Sequence, residues 1–347
     1  MQLSICIPTY NRSAHLRNCL NSTILNRSRE RIDFEICVSD NASTDDTPEV
    51  VRRAQEKIPI RYQRQSENLG MARNILRVVE MAKGDFVWIV GDDDLLLPHA
   101  LEKLSALIQS HPSVEYFYIN SWHLSAQHVL SLPQPFDTSD LPTNMKPFSP
   151  RSASGEMMFF DLIDPDISFD FLGGVFLSVF RREAWIRHVD VLDPAALSDS
   201  RTFSNLDNTF PHVKIFSKAF ASSRAFYRAE PLSVCLTGAR EWAPLYPLIR
   251  SVRFVEILNE HRKNGLHWFR YLRCRHRALH CFLPDLFRMY SDPKRTGLAY
   301  IRPLRLVLSN CLFPNFYLSP FYFLLGGVKS ALCKLFKGRG RPSSGWN

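Results

Sequence analysis

A short apolar run that ends in three aspartates constrains this chain more than any other feature of its sequence. Phe86–Val90 is continuously apolar, as is typical of a strand buried on both faces, and Gly91–Asp94 follows it directly. Open α/β sheets bind ligands in the crevice at the carboxyl ends of their strands. Carboxylates there can hold a divalent cation, which also binds the phosphate oxygens of a ligand. The alternative is a solvated acidic loop that caps a helix beginning near Pro98.

The elements before this run alternate between the two kinds of secondary structure. Apolar runs and helical spacing predict strands at Leu3–Ile7, Phe34–Ser39 and Ile58–Tyr62 and helices at Ser13–Asn26, Glu49–Lys57 and Met71–Ala82. Repeated strand-helix units of this length predict an α/β fold with a mostly parallel sheet, right-handed crossovers and flanking helices. The loops at Tyr10, Asp40 and Asp92 should therefore meet at one edge of the sheet.

Four short motifs, taken together, carry a family resemblance. They are Pro8-Thr9-Tyr10-Asn11, the run Val38–Asp45, Asn68-Leu69-Gly70 with Ala72-Arg73-Asn74, and Gly84-Asp85-Phe86 followed by Asp92–Asp94 and Pro98. In this order and spacing they resemble family 2 glycosyltransferases of the GT-A fold. Within that family they resemble bacterial enzymes of O-antigen assembly, including abequosyltransferases. The resemblance implies a Rossmann-like catalytic domain that binds a nucleotide-sugar.

The resemblance also implies roles for single residues. The implied donor site consists of Pro8, Tyr10, Asp40, Asn68, Arg73 and Asp92. Tyr10 would lie against the nucleobase, and Asp40 would accept a hydrogen bond from a base N–H. Arg73 would approach the diphosphate, because a guanidinium binds two phosphate oxygens at once, and Asp92 would lie near the ribose. Taken singly, Tyr10 is better explained as a packing residue at the end of a strand, and Arg73 as a surface charge on a helix.

The same resemblance implies a metal site. Asp93 lies where the family has its main metal ligand and should bind Mg²⁺ or Mn²⁺, with Asp94 assisting or holding the loop. The family's usual first carboxylate falls at Gly91 in this chain, so the coordination should be lighter. The assignment among the three aspartates stays open.

An inverting transfer needs a carboxylate to take the proton of the attacking hydroxyl. The family has this base about 90 to 120 residues after the metal loop, in an acidic pair at the start of a helix, and this chain lacks a clean pair. Asp207, ahead of an apolar helix predicted at Phe210–Phe220, is the first candidate, and Asp199 is the second. The alternative role for Asp207 is an N-cap on that helix.

The second half has a weaker pattern. Leu132–Pro150 loses all periodicity and is predicted as a loop on the acceptor side. Glu156–Ile163 is predicted as a short helix, and Phe171–Phe180 as a strand interrupted by Gly173-Gly174. The expected division is a GT-A domain over residues 1–235, with a nucleotide-sugar half at 1–120 and an acceptor half at 121–235. A helical, basic and aromatic extension follows at 236–347.

The charge of the chain is unevenly distributed. Residues 240–347 hold 19 Lys and Arg against 5 Asp and Glu, whereas residues 1–239 hold 24 against 29. A basic extension rich in aromatic residues suggests contact with anionic headgroups or phosphates. The apolar stretch Phe321–Val328 is too short to span a bilayer, and the basic residues after it favour an interfacial position. The alternative is a helix packed on the catalytic domain.

Two functions fit these patterns. The first is an inverting, metal-dependent transfer of a hexosyl or deoxyhexosyl group from a nucleotide-sugar to a saccharide acceptor, expected to be linked to a lipid diphosphate, in surface polysaccharide synthesis. Met1 leads directly into an apolar strand without a signal sequence, so the expected location is the cytoplasm, at the inner face of the cell membrane. The second is a nucleotide- or polyanion-binding protein that kept the fold without the chemistry. No nucleic-acid-binding signature accompanies the basic residues.

Overall fold

The computed structural model describes residues 2–26, 33–238 and 242–336, and it contains one ten-stranded sheet flanked by helices. The strands are β1 Leu3–Thr9, β2 Phe34–Asp40, β3 Ile60–Arg64, β4 Phe86–Ile89, β5 Leu95–Leu96, β6 Tyr116–Ser125, β7 Lys146–Pro147, β8 Gly155–Met158, β9 Ser178–Arg181 and β10 Arg224–Thr237. The helices of the sheet region are α1 Ser13–Leu25, α2 Thr47–Gln55, α3 Met71–Met81, α4 Ala100–Ser110, α5 Ala126–Leu130, α6 Arg182–Arg187, α7 Pro194–Leu197, α8 Leu206–Thr209 and α9 Pro211–Ala219. The predicted α/β class is confirmed.

The strands of the first half are parallel and lie in the order β3-β2-β1-β4. Alternate residues of β1, β2 and β4 face two separate apolar clusters, so that Cys6 and Val87 pack on one side of the sheet while Ile5 and Trp88 pack on the other. Both faces of these strands are covered. This explains why β1, β2 and β4 are mostly continuous apolar runs and not alternating ones.

The second half completes the sheet with pairings between distant segments. The antiparallel strand β9 joins β4 to β6, and the 14-residue strand β10 runs parallel to β6. The helix predicted at Glu156–Ile163 is wrong. Its first residues form β8, which pairs antiparallel with Arg224–Tyr227, and only a single 3₁₀ turn follows at Phe159–Leu162. The partner strand is about 70 residues away, so local periodicity carries no sign of the pairing.

The strand predicted at Phe171–Phe180 is wrong over most of its length. Phe171 and Leu172 have φ angles of +54° and +70°, which an extended strand does not allow, and pairing begins only at Ser178. Two buried histidines hold this strained turn: His261 Nε2 donates to the Phe171 carbonyl and His212 Nε2 to the Leu172 carbonyl, both at 3.0 Å. Burial lowers the pKa of each imidazole to about 4, so both act as neutral donors.

The extension after β10 is helical. Its helices are α10 Tyr246–Leu248, α11 Phe254–Lys263, α12 Trp268–Ala278, α13 Phe282–Ser291, α14 Pro303–Asn310 and α15 Pro314–Phe336, with a π-helical turn at Ile249–Arg253. Val255, Ala278 and Phe282 of these helices share one apolar cluster with residues of the sheet. The strand β10 ends two residues beyond the boundary predicted at residue 235. The basic side chains predicted to lie at a membrane after residue 328 are outside the described side chains.

Within the part of the chain that the structure describes, no helix combines the length and the apolarity needed to cross a bilayer.

A buried ion pair fixes the helices of the extension to each other. Arg250 donates to both carboxylate oxygens of Asp285, at 2.9 and 2.6 Å, and the hydroxyl of Ser251 donates to the same carboxylate at 2.6 Å. Asp285 is completely buried. Removing one partner of such a pair leaves the other charge buried without compensation.

We therefore expect Asp285→Ala to destabilise the protein by about 3 kcal/mol. Thermal unfolding of the whole chain measures this as a lower melting temperature. Glu49→Ala is the control, because Glu49 forms fully exposed pairs with Arg52 and Arg53 that should contribute nothing measurable. Equal melting temperatures for the two variants would contradict the structural role of Asp285.

Candidate active site

The carboxyl ends of β1, β2 and β4 meet at one edge of the sheet, as the strand order predicts. The hydroxyl of Thr9 at the end of β1 donates to Asp92 Oδ2 at 2.8 Å, which joins the ends of β1 and β4. The backbone N–H of Asn41 donates to the Thr9 carbonyl at 3.0 Å, which joins β1 to β2. The loops at Tyr10, Asp40 and Asp92 therefore form one continuous rim.

A single guanidinium compensates the charge of the acidic loop. Arg12 Nη1 lies 3.0 Å from Asp92 Oδ1 and 3.2 Å from Asp93 Oδ2, so it bridges two neighbouring carboxylates. Burial alone would lower the pKa of Arg12, but the two carboxylates raise it. Arg12 follows the recognised motif at residues 8–11, and sequence reasoning assigned it no role, because its partners lie about 80 residues away in the chain.

The pKa of Asp92 is raised by its surroundings. Its side chain is buried, and this burial together with the charge of Asp93 raises its pKa to about 6, against the opposing effects of Arg12 and the Thr9 hydroxyl. Keeping the Asp92 carboxylate ionised therefore costs free energy. A cation close to both carboxylates would relieve that cost.

Gly91 lies in a tight turn of this loop. The Gly91 N–H donates to Asp94 Oδ2 at 3.0 Å, and the Asp94 N–H donates back to the Gly91 carbonyl at 3.0 Å. A Cβ atom at residue 91 would lie 2.8 Å from Asp94 Oδ2 and 3.0 Å from Asp93 Oδ1, so any larger residue there would have to displace these two carboxylates. These contacts support the loop-holding role of Asp94, and its role as a metal ligand stays a prediction.

The donor set fits a hard divalent cation that a ligand helps to coordinate. Across residues 2–26, 33–238 and 242–336, no group of three or more His, Cys, Asp or Glu could hold a metal ion. Asp92 and Asp93 offer adjacent carboxylates at the rim, and Mg²⁺ is commonly held by one or two carboxylates together with phosphate oxygens. Asp93, whose neighbour Asp92 already accepts hydrogen bonds at both oxygens from Arg12 and Thr9, would hold such an ion.

The predicted nucleobase side of the rim is built from the end of β2. Asp40 is completely buried, and it accepts hydrogen bonds from the Ser43 N–H at 2.8 Å and the Tyr62 hydroxyl at 2.7 Å. Burial and the hydrogen bond to Asp40 raise the pKa of Tyr62. Tyr10 is 41% exposed beside this group, so its ring is accessible to a ligand. Pro8 pairs with Ser39 in the register of β1 and β2.

The predicted diphosphate side of the rim begins at a turn tied to β2. Asn68 Oδ1 accepts the amide of Asn41 at 2.7 Å and the N–H of Gly70 at 2.9 Å. Gly70 has a φ of +84°, and α3 begins with the next residue. Arg73 is exposed in the first turn of α3.

Asn74 locks α3 to the two strands that lead into the site. Its amide donates to the Ser39 carbonyl at 3.0 Å and the Thr9 carbonyl at 3.3 Å, and its Oδ1 accepts the Ser39 hydroxyl at 2.7 Å. Asn74 belongs to the motif Ala72-Arg73-Asn74, but the motif alone did not predict that it positions α3. A buried asparagine on the apolar face of a helix is the signal that indicates such a role.

The two predicted base candidates have different environments. Asp207 is buried in α8, accepts the Asp193 N–H at 2.8 Å and pairs with Lys214 Nζ at 2.6 Å. Asp199 lies in the preceding loop, where hydrogen bonds from Arg201 and Ser204 lower its pKa. Helix α8 packs against α3, the helix that carries Arg73.

The alternative role of Asp207 as an N-cap is wrong. The N-cap of α8 is Asn205, which forms a reciprocal pair with Asn208, and α9 begins after Phe210 without a side-chain cap.

Comparison with known proteins identifies the family to which the chain is related. The sequence profile described as Glycosyl transferase family 2 matches residues 4–128. An abequosyltransferase, RfbV of Salmonella typhimurium strain LT2, is 33% identical over 246 residues, which is 68% of this chain and 66% of that protein. The poly(ribitol-phosphate) beta-N-acetylglucosaminyltransferase TarS of Staphylococcus aureus is 30% identical over 116 residues, 33% of this chain and 20% of that protein. The matched segments thus span less than the whole of these relatives.

Solved structures agree on the fold. A crystal structure of S. aureus TarS residues 1–349 superposes with a TM-score of 0.53 at 18% identity, over 86% of this chain and 74% of that one. A mannosyltransferase of Pyrobaculum calidifontis, solved with GDP-Man and Mn²⁺, superposes with a TM-score of 0.51 at 16% identity, over 96% of this chain and 88% of that one. The fold is that of a GT-A glycosyltransferase. The chain belongs to glycosyltransferase family 2, and it resembles the enzymes of O-antigen assembly.

The raised pKa of Asp92 makes stability depend on pH. Because its folded-state pKa of about 6 lies above the ordinary value of 3.8, its contribution to stability is complete below about 3.8 and is lost as pH rises through about 6. Asp92→Asn removes the buried charge, so it should stabilise the protein by on the order of 2 kcal/mol at pH about 7.5 and by little at pH about 4. Thermal unfolding at both pH values measures the difference.

The variant Asp45→Asn should change the melting temperature in the opposite direction. Although burial opposes the effect, hydrogen bonds from Thr47 and Ser13 lower the pKa of Asp45, so removing its charge should lower the melting temperature at neutral pH. A lower melting temperature for Asp92→Asn at neutral pH would show that its ion pair outweighs its burial.

Proposed function

We propose that this protein transfers a sugar from a nucleotide-sugar donor to a saccharide acceptor, with inversion and with the help of a divalent cation. One observation carries the proposal: Arg12 bridges Asp92 and Asp93 at the edge of the sheet where β1, β2 and β4 end. A buried carboxylate and a partly buried one that share a single guanidinium suit a ligand that brings both a metal ion and a diphosphate.

The proposed donor lies along the rim. Tyr10 offers an exposed ring to the nucleobase, and Asp40 lies beneath it with its carboxylate oriented by Ser43 and Tyr62. Arg73, exposed at the start of α3, is free to turn toward the diphosphate, while Asp92 faces the ribose. Pro8 and Asn68 support this rim from β1 and from the turn before α3.

The proposed cation site is Asp93, with Asp92 beside it and Asp94 holding the loop. Charge on the diphosphate leaving group would be neutralised by Mg²⁺ or Mn²⁺ held there. Arg12 pairs with both Asp92 and Asp93, so it keeps the loop in shape before a donor arrives.

The proposed chemical step is a single displacement. The acceptor hydroxyl oxygen forms a bond to the anomeric carbon, the bond from that carbon to the diphosphate oxygen breaks, and the hydroxyl proton goes to a carboxylate. Asp207 suits this role better than Asp199, because hydrogen bonds from Arg201 and Ser204 lower the pKa of Asp199 and so weaken it as a base. Lys214 and the Asp193 N–H fix the orientation of the Asp207 carboxylate.

The proposed acceptor is a growing surface saccharide on a lipid diphosphate, at the inner face of the cell membrane. The abequosyltransferase relative and the resemblance to O-antigen enzymes support a polysaccharide product. The basic charge of residues 240–347 supports an anionic lipid or diphosphate near the acceptor. These features support a peripheral position of the protein at the membrane.

A second candidate is a nucleotide- or polyanion-binding protein without catalysis. Two observations favour it: Gly91 replaces the family's first carboxylate, and Lys214 already pairs with Asp207. The two candidates differ in turnover, because only the enzyme consumes a nucleotide-sugar.

Donor binding can be tested by thermal stabilisation, since a ligand bound only by the folded state raises the melting temperature. In a screen of nucleotide-sugars with Mn²⁺, one nucleotide class should stabilise the wild type, and Asp93→Ala should abolish the shift. Asp190→Ala, at an exposed carboxylate in the turn after α6, should retain it. Stabilisation by every base equally, or a full shift in Asp93→Ala, would contradict the proposed donor site.

The base can be tested by separating binding from turnover. Asp207→Asn should keep the donor-dependent rise in melting temperature and lower kcat by about 100-fold or more, because the proton acceptor is lost. Asp199→Asn should leave kcat close to that of the wild type. Measured rates of nucleoside diphosphate release decide between the two carboxylates. Absence of turnover in the wild type with every donor that binds would favour the second candidate.

A further inference from the structure

The helical extension exposes an apolar surface that the catalytic site does not use. On α14, Leu304 and Leu308 are 74% and 63% exposed, and Leu312 after this helix is 90% exposed. Leu304 and Leu308 are four residues apart and so share one face of α14, and Leu312 follows shortly after the helix. The opposite side of α14 is already packed, because Leu306 and Val307 contact the main apolar cluster. A surface helix normally presents polar residues to water, and α14 presents leucines.

The next helix also exposes apolar side chains. On α15, Leu318, Phe321 and Leu324 are 41%, 62% and 62% exposed, at helical spacing, while Phe316 and Ser319 are buried. We call Leu304, Leu308, Leu312, Leu318, Phe321 and Leu324 the outer face. Monomeric soluble proteins rarely leave this many large apolar side chains of two successive helices in water.

The charges around the outer face have one sign. Arg302 and Arg305 are exposed at the start of α14. Residues 293–347 contain nine Lys and Arg and no Asp or Glu. Leucines and phenylalanine between exposed arginines are typical of a surface that lies in the headgroup region of an anionic bilayer.

The outer face is connected to the proposed base region. Arg201, beside Asp199, lies with its guanidinium 5.5 Å from the ring centre of Tyr300, in the segment that leads into α14. Arg253 of the extension donates to the carbonyls of Phe203 and Ser204 at 3.0 and 2.7 Å. The loop before Asp207 thus rests on the extension, so an acceptor held at the lipid surface would be delivered close to that loop.

We propose that the outer face of α14 and α15 inserts into the surface of an anionic lipid bilayer and docks the protein there, where its acceptor is found. The inference rests on the proposed function, because it names the lipid surface as the partner of the acceptor side. It identifies a different part of the chain from the basic residues after residue 328. Insertion of the leucines supplies the affinity, and Arg302 and Arg305 supply the preference for anionic headgroups.

A second copy of the chain fits this face less well. Two copies that met through it would bring the arginines of α14 together, with no carboxylate in residues 293–347 to oppose them. Like charges held close together in an interface oppose association. An anionic bilayer offers complementary charge over the whole face.

The experiment is vesicle flotation of the full-length protein, with phosphatidylcholine vesicles and with vesicles that also contain phosphatidylglycerol. The wild type should float with the mixed vesicles and bind the neutral ones more weakly. The combined variant Leu304→Ser/Leu308→Ser/Leu312→Ser should lose about tenfold or more in affinity, because apolar area drives insertion. Arg302→Gln/Arg305→Gln should bind both kinds of vesicle alike. Leu312→Ser alone, at the most exposed position, should give a smaller loss in the same direction.

The matched control removes three exposed apolar side chains elsewhere. Leu130, Met158 and Ile186 are 43%, 46% and 45% exposed in the catalytic region, and changing all three to serine should leave vesicle binding unchanged. Equal loss in this control, or full binding by the triple leucine variant, would overturn the proposal. So would a dimer in sedimentation velocity that the leucine variant converts to a monomer without any vesicle binding by the wild type.

Measurements of donor binding and turnover distinguish a failure of this inference from a failure of the proposed function. The triple leucine variant should keep the donor-dependent rise in melting temperature, because the outer face lies apart from the rim. A wild type that binds vesicles but turns over no nucleotide-sugar would contradict the enzyme and leave the docking surface standing. A wild type that turns over a soluble saccharide acceptor but binds no vesicle would contradict the docking surface alone.

Discussion

The site depends on the compensation of two adjacent carboxylates, one buried and one partly buried, by the Arg12 guanidinium. Burial of Asp92 costs free energy and the charge of Asp93 repels it, which is why the pKa of Asp92 rises to about 6. Arg12 relieves this cost only because β1 and β4 are neighbours in the sheet, so that the loops after them meet. The same neighbourhood brings Thr9 to Asp92, and the turn closed by Asp94 holds that carboxylate 2.8 Å from where a Cβ atom at residue 91 would lie.

The other half of the molecule is organised around a strained turn. Phe171 and Leu172 both have positive φ angles, which costs free energy for residues with side chains. His212 from α9 and His261 from α11 hold the two carbonyls of this turn, and their imidazoles stay neutral because they are buried. The helical extension therefore does more than cover the sheet. It fixes the backbone beside Gly173, in the region predicted to face the acceptor.

The extension also connects the loop of the proposed base to the proposed lipid-binding surface. Arg253 holds the loop before α8 by its carbonyls, and Arg201 of that loop lies against Tyr300. Helix α14 begins shortly after Tyr300, and its outward leucines are exposed and do not pack in the apolar core. Contacts between donor rim, base loop and extension thus run through one body of packed residues.

The sequence by itself determined the local elements of the first half and the family. Strands β1, β2 and β4 are apolar runs, and α1 and α3 have helical spacing, so each is encoded within a short window. The order of strands and helices then predicts that Tyr10, Asp40 and Asp92 share one edge, since parallel strands end on the same side.

Only the tertiary structure decided the features that join distant parts of the chain. The strand pairing of Gly155–Met158, the positive φ angles of Phe171 and Leu172, and the pairing of Arg12 with Asp92 depend on partners that lie about 40 to 90 residues away. The outward direction of the leucines on α14 depends likewise on which side of the helix packs. Periodicity shows that a helix is apolar, and only packing decides which of its apolar residues remain in water.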